Sequence, residues 1–220
     1  MIIDLHCHTI YSGDSALEPE ELFEAARQKG LDGVCITEHD SYLASEPAEE
    51  AAERLKFPLF RGVEINTNWG HILAFGVSDD SWRENGYYSH IEFVREKVEK
   101  CGGILIPSHP FRAVGSASAQ MHLYTMDFIS AMEVLNGENN ERENELAVKA
   151  WTTLRIPGTG GSDCHFAGRV GACATWFEKP VRTVRELIEE VRAGRVAPVF
   201  LEREGTYRRI AYHEDCKGKK

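Results

Sequence analysis

Short apolar runs alternate with amphipathic stretches along nearly the whole chain, and this alternation restricts the fold more than any other feature of the sequence. The strand candidates are "MIIDL" (1–5), "GVCIT" (33–37), "LFRGVEI" (59–65), "HILAFG" (71–76), "GILIP" (103–107), "AMEVL" (131–135) and "RIPGTGG" (155–161). Between them lie helical patterns. Glu18-Pro19 opens one, Leu22, Ala25 and Ala26 give it an apolar stripe, and Gly30 is placed to end it. Residues 45–56 are acidic and alanine-rich, 90–103 repeat the pattern and end in glycines, and 138–154 start very polar. Thr183 and Glu186 have capping-box spacing ahead of Leu187, Ile188 and Val191, with Gly194 closing that helix.

Strand–helix alternation predicts a parallel sheet with helices outside. Most of the strands are apolar nearly throughout, as a doubly covered sheet requires. About seven such units fit an α/β barrel just short of the common eight. An open doubly wound sheet is the competitor, but no glycine-rich phosphate loop follows the first strand. Residues 77–90 and 112–125 read as loops placed where active-site loops sit. The expected organisation is a single barrel domain over 1–200 and a C-terminal extension over 201–220, partly disordered toward its "CKGKK" end.

The strands end in residues of one chemical kind. The first delivers His6 and His8, which share a face because alternate side chains of a strand do, and Asp14 follows in its loop. "CITEHD" delivers Glu38, His39 and Asp40, "GVEIN" delivers Glu64, "LIPSHPF" delivers His109, and "GGSDCH" delivers Asp163 and His165. In a parallel barrel these positions converge on one face. His71 stands at the start of its strand, so it joins them only if that strand runs against the others. Asp40 is read as a cap for the helix after it. Glu64 is embedded in an apolar strand, where an unpartnered carboxylate is costly, so it calls for a cation.

Imidazoles and carboxylates without thiolates suit zinc, manganese or iron bound for catalysis. Six of the nine histidines belong to the set, which oversupplies one ion and fits two or three divalent ions. Glu64, with two oxygens, is the natural bridge. The six cysteines form no CxxC pair, which disfavours a zinc-finger framework, and a chain of 220 residues needs no disulfide scaffold. Reduced thiols, no leader pattern and no apolar run near the roughly 20 residues of a membrane span lead to an expectation of a cytoplasmic protein without membrane association. The formal charge of −10 argues against extended nucleic acid as a partner.

With these motifs in place, the sequence resembles the polymerase and histidinol phosphatase (PHP) family. "DLHCHT", "ITEHD", "GVEI", "SHP" and "GSDCH" stand in that family's order and approximate spacing, over residues 1 to about 175. The resemblance implies a distorted (β/α)7 TIM-like barrel, a trinuclear metal cluster and phosphoester hydrolysis. It implies a first ion on His6, His8, Glu64 and Asp163, a second on Glu64, His71 and His109, and a third on Asp14, His39 and His165. Asp14 stands where some members have histidine.

The expected chemistry is attack on phosphorus by a hydroxide shared between two ions, on a small phosphorylated substrate, nucleotides included. Arg112 and Arg169 are the candidates for binding phosphate, with Arg169 favoured and Arg142 third, because a guanidinium fork matches phosphate. Asn136 ends the sixth strand beside Glu133, as a ligand contact or a helix cap. His39 and Asp163 are the candidates for proton transfer. Competing readings are exonucleolytic trimming of short RNA or DNA ends, an amidohydrolase-like C–N hydrolase, and a non-enzymatic metal-binding protein. The C–N hydrolase usually needs a metal-bridging lysine, and no strand here ends in one.

Overall fold

The computed structural model describes residues 1–113, 118–203 and 205–210. Apolar β1 (Ile2–Cys7) lies at the centre, between β2 (Gly33–Ile36) and β8 (Cys173–Phe177). The main sheet has eight strands in the order β10-β9-β8-β1-β2-β3-β4-β5, with β3 at Leu59–Thr67, β4 at Gly70–Phe75, β5 at Ile104–Pro107, β9 at Val196–Arg203 and β10 at Thr206–Arg209. A separate parallel pair, β6 (Met132–Asn136) and β7 (Gly158–Gly161), stands against it. The residues after β7 reach β1 through Asp163 N–H to His6 O at 2.7 Å and His8 N–H to Cys164 O at 3.1 Å.

The sheet is therefore curled but open, and mixed rather than parallel, which corrects the expectation of a distorted (β/α)7 TIM-like barrel. The β1–β2 and β2–β3 pairs are parallel, while β3–β4, β4–β5 and β1–β8 are antiparallel. The physical reason is visible at Asn68-Trp69. A parallel crossover needs a dozen or more residues, and this two-residue link permits only a hairpin. The same reversal puts His71 at the end of the sheet where the other site residues lie, as its inclusion required. Strands β8, β9 and β10 were not anticipated. Strand β9 crosses position 200 and β10 lies within the expected extension. Residues 211–220, including the "CKGKK" tail, and part of the 112–125 loop fall outside the described residues.

The helices fall close to their predicted spans: α1 Pro19–Lys29, α2 Glu46–Leu55, α3 Ile91–Lys100, α4 Glu141–Leu154 and α5 Val184–Arg192. Pro19 sits in the first turn of α1, where its missing N–H costs nothing, and Gly30 ends it at φ 77°. Asn140 and Glu143 form a capping box on α4. Leu22, Phe23 and Ala26 of α1 pack on Val34 and Ile36, and Cys7 joins this layer, so His6 and His8 face the opposite way. Leu187, Ile188 and Val191 of α5 pack with Ile3, Leu5, Phe75 and Ile104. No helix of the described residues is long and apolar enough to cross a membrane. Five of the cysteines are free, and Cys216 lies outside the described residues.

One glycine sets how closely β7 approaches β1. A Cβ built on Gly161 stands 2.4 Å from His6 Cβ and 2.9 Å from Glu133 Oε1. Gly161→Ala is expected to cost about 1–3 kcal/mol in urea unfolding, as an overpacked core does. An unchanged midpoint would show that His6 is free to move aside.

Candidate metal centre

Nearly all of the candidate metal-binding side chains meet at one end of the sheet. His6 and His8 leave β1 with their Nε2 atoms 3.0 Å apart. Both nitrogens face the same two carboxylates. Around them stand Glu64 Oε2, 3.3 Å from each, and Asp163 Oδ1, 3.4 Å from His6 and 3.2 Å from His8. All four residues are buried, and their donor atoms lie within 4.8 Å of one another. This is the group expected for a first ion.

Glu64 is the centre of the arrangement. His39 Nδ1 stands 3.0 Å from its Oε2. His71 Nδ1 stands 3.2 Å and His109 Nε2 2.9 Å from Oε1, and Ser108 donates to the same oxygen at 2.8 Å. Glu64 Oε2 and His71 Nδ1, which face the cluster, are buried without a well-directed hydrogen bond, as are Trp82 Nε1 and the His109 Nδ1 on the far side of its ring from Glu64. The orphaned Glu64 Oε2 and His71 Nδ1 are of ligand type and fit a cation. His39, Glu64 and His71 form a second close group, with His109 bound to Glu64 beside it.

The third group is His8, His39 and His165. Asp14 Oδ2 lies 3.2 Å from His39 and 3.4 Å from His165, and Asp14 is half exposed. His39 thus stands in both the second and third groups, a sharing that strand order alone does not reveal. His90 pairs with Glu84 on the surface, and His122 stacks on Trp69. His213 lies outside the described residues.

Charge follows from this geometry. Burial opposes the charged form of His6, yet Asp163, Glu64 and Glu133 together hold its pKa well above the ordinary value. Burial likewise opposes charge on His8, but Asp163 and Glu64 push it up to about 10. Burial would raise Glu64 and Asp163; the surrounding imidazoles instead hold both well below the usual carboxylate range. The cluster is built to carry positive charge among its carboxylates. The raised His6 and His8 and the lowered Glu64 and Asp163 balance one another in charge, and a divalent cation would supply the same balance.

A second layer fixes the imidazoles. Glu133 Oε1 meets His6 Nδ1 at 3.0 Å, and Glu133 Oε2 accepts from the His109 backbone at 2.6 Å and from Asn136 Nδ2 at 2.9 Å. Ser12 Oγ meets His8 Nδ1 at 2.8 Å and donates to Glu38, which Thr9 also holds. Such partners select the ring nitrogen that faces the ion. His109 and Asp163 hold positive φ, 29° and 56°, a conformation disfavoured for residues other than glycine and here kept by the surrounding bonds. Asp4, Cys7 and Cys164 also cluster, but Asp4 is taken up by the backbone N–H groups of His6, Ser162 and Gly171. Burial raises the Cys7 thiol far above its usual pKa, so this cluster ties β1 to the segment after β7.

The remaining candidates separate. Arg112 Nη2 donates to Asp163 Oδ2 at 2.6 Å and to Asn136 Oδ1 at 2.8 Å, which places it and Asn136 inside the site. Arg169, favoured from sequence, pairs with Glu138 at 2.7 Å on the rim, and Arg142 is exposed. Asp40 does not cap a helix; its carboxylate accepts from Asn66 N–H at 2.8 Å and ties the loop after β2 to β3.

An α/β sheet whose strand ends gather six imidazoles and buried carboxylates around closely spaced donor atoms defines a protein constructed around a metal cradle. The chain belongs to the PHP family: the PHP domain pattern matches residues 4–150, and the PHP-associated pattern matches residues 141–196. It is 41% identical over 98 residues to a 5'-3' exoribonuclease of Haemophilus influenzae, covering 43% of this chain and 35% of that enzyme. It is 33% identical over 85 residues to the phosphoribosyl 1,2-cyclic phosphate 1,2-diphosphodiesterase of Eggerthella lenta, covering 36% of this chain and 32% of that enzyme. The chain thus spans about a third of the length of either relative. Its fold is shared with PsfC from Pseudomonas syringae, at a TM-score of 0.67 and 18% identity over 93% of both chains.

Proposed function

We propose that this chain is a metal-dependent phosphoesterase acting on small phosphorylated molecules. The observation that carries the reading is Glu64, buried, with five imidazoles within 3.3 Å of its two oxygens. His6, His8, Glu64 and Asp163 would hold one divalent ion, Glu64, His71 and His109 with His39 a second, and Asp14, His39 and His165 a third. Manganese, zinc and iron suit these donors. Ions held there make water a nucleophile at neutral pH and neutralise phosphoryl charge.

The chain's own residues supply the rest. Arg112 has Nε and Nη2 committed to Asn139, Asn136 and Asp163. Its Nη1, with no hydrogen bond among the described residues, is directed to a phosphate oxygen of the substrate. Asn136 fixes that guanidinium. His39 faces Glu64 with Nδ1 and Asp14 with Nε2, so it is read as a ligand rather than as a proton carrier. Arg169 is held by Glu138 at the rim and has the smaller role.

The second reading, trimming of RNA or DNA ends, is supported by the exoribonuclease relative, and the acidic charge of −10 weighs against it for long strands. The test is hydrolysis by metal-loaded protein of a panel of phosphomonoesters and cyclic phosphodiesters beside 5′-phosphorylated oligonucleotides. Small esters are expected to turn over fastest. Arg112→Met is expected to lower kcat/KM about 100-fold or more, since a charged hydrogen bond to phosphate is among the stronger polar contacts. Arg169→Met is expected to lower it less than 5-fold. Faster turnover of oligonucleotides would transfer the chain to the second reading, and no turnover at all would leave a metal-binding protein.

A further inference from the structure

One wall of the site carries residues that the metal cluster does not use. A cleft of about 380 Å³ opens beside His39 and His71, and its far side is formed by Arg83, Tyr87 and Tyr88. This volume lies at the small end of the roughly 300–1,000 Å³ typical of small-molecule sites, enough for one monomer-sized ligand.

The segment that forms this wall is held in place rather than draped over the surface. Trp82 is buried among Val63, Ile65, Ile72 and Ala74 and anchors its start. Asn66 Nδ2 donates to the Tyr87 carbonyl at 2.9 Å, and Ser89 N–H donates to the Asn66 carbonyl at 2.9 Å. The Ser89 hydroxyl accepts from Glu84 N–H at 3.0 Å. The backbone that carries the two tyrosines is thus tied to Asn66 near the end of β3, two residues beyond Glu64.

Yet the Tyr87 ring on this pinned backbone faces outward, and the Tyr88 ring, edge-on to His90 at 5.7 Å between centroids, is covered only in part. Tyr87 is 82% exposed and Tyr88 46% exposed. A large aromatic ring left in water beside a catalytic site forgoes the burial that ordinarily stabilises it. Arg83 is exposed, and its charge acts on the Asp40 carboxylate of the same cleft without closing to an ion pair. Arg61, Arg112 and Arg169 each pair with a carboxylate, whereas the Arg83 guanidinium forms no ion pair among the described residues. Exposed aromatics next to an unpaired guanidinium match the face and the edge of a planar ring bearing hydrogen-bond acceptors. Tyrosine stacks on the face, and the guanidinium donates to the edge.

We propose that Arg83, Tyr87 and Tyr88 form the subsite for the alcohol portion of the substrate, a single planar ring system carried by the phosphoester. The proposal deepens the phosphoesterase reading and rests on it for the reaction, but not for the binding. A nucleobase and a simple aryl group share the required chemistry.

The kinetic test uses metal-loaded full-length protein and three monoesters of ordinary alcohols: adenosine 5′-monophosphate, benzyl phosphate and ribose 5-phosphate. A ring-bearing ester is expected to exceed ribose 5-phosphate in kcat/KM by roughly ten- to hundred-fold, the range of one stacked ring. Preference for the adenosine ester alone assigns a nucleobase; preference for the benzyl ester alone, or for both, assigns an aryl group or any planar ring. In the double variant Tyr87→Ala, Tyr88→Ala the ratio is expected to fall to near one. Because the ratio is taken within one sample, a partly folded or partly loaded variant does not distort it. Hydrolysis with no ring preference, or a preference that survives in the double variant, overturns the subsite and leaves the phosphoesterase reading intact. A second arm titrates the protein into adenosine, which has no phosphate, and follows the adenine proton signals by NMR. Saturable shifts in the wild type that vanish in the double variant support the subsite even if no ester is hydrolysed. Absence of those shifts counts against it.

Discussion

Turnover of phosphoesters by this protein is expected to fall by three or more decades after exhaustive chelation, and to return on adding Mn²⁺ or Zn²⁺. Loss of the ions removes several kcal/mol of transition-state stabilisation, and each 1.4 kcal/mol is a decade in rate. The stripped protein is expected to stay folded near pH 6, because protons replace the missing charge. The sign of its pH dependence follows from the imidazoles. His6 is held well above its ordinary pKa and His8 is pushed up to about 10. A base raised in the folded state contributes fully below its unfolded value near 6.5, and the contribution is lost as pH rises through the folded value. The metal-free chain is therefore expected to lose thermal stability between pH 7 and 10, as Glu64 and Asp163 lose their protonated neighbours. The loaded chain keeps its cation over that range, so the gap in Tm between the two should widen with pH. Calorimetry at pH 6, 7.5 and 9 measures that gap directly. Full activity in protein shown by elemental analysis to be free of metal would remove the basis of the proposed reaction.

Much of the site was legible because strand ends announce themselves. Polar residues that interrupt or terminate an apolar run have to be paid for by partners, which is why His6, Glu64 and Asp163 stood out. The same signal was present in Glu133, central in "AMEVL", and the structure places it on His6. Ser12 gave no such signal, since a serine in a turn is ordinary, and its role comes only from its position between His8 and Glu38. From sequence the choice between Arg112 and Arg169 fell on Arg169, on slight grounds. Each follows a strand-end motif, and only the partners separate them: Asp163 for one, Glu138 for the other. The (β/α)7 barrel was misread for a related reason. Strand–helix periodicity reports the elements but not their direction, and the short β3–β4 link decided that direction. Strand β9 carries a proline, and β10 is itself polar, so neither shows the apolar run of a buried strand.

Replacing Glu64 with glutamine is expected to be the most damaging single change that preserves shape. The amide keeps the volume and one acceptor, but it removes the charge and presents an N–H₂ group to imidazole nitrogens. Whichever way the amide turns, it faces either His6, His8 and His39 or His71 and His109. Metal content in Glu64→Gln is expected to fall by at least one ion per chain, and kcat by about 1,000-fold or more, since a shared carboxylate serves two ions at once. Glu133→Gln provides the contrast. Glu133 touches His6 at Nδ1, the nitrogen that faces away from the cluster. Its loss is expected to weaken metal affinity about 10- to 100-fold, as removal of an outer partner does, and excess metal should restore most of the rate. The two variants have similar size and similar lost charge, so general electrostatics would affect them alike. A rate recovered by added metal in Glu133→Gln but not in Glu64→Gln therefore separates a group that holds the ions from one that orients a holder. Recovery in both would demote Glu64 from the centre of the site and make its five imidazole contacts a packing arrangement.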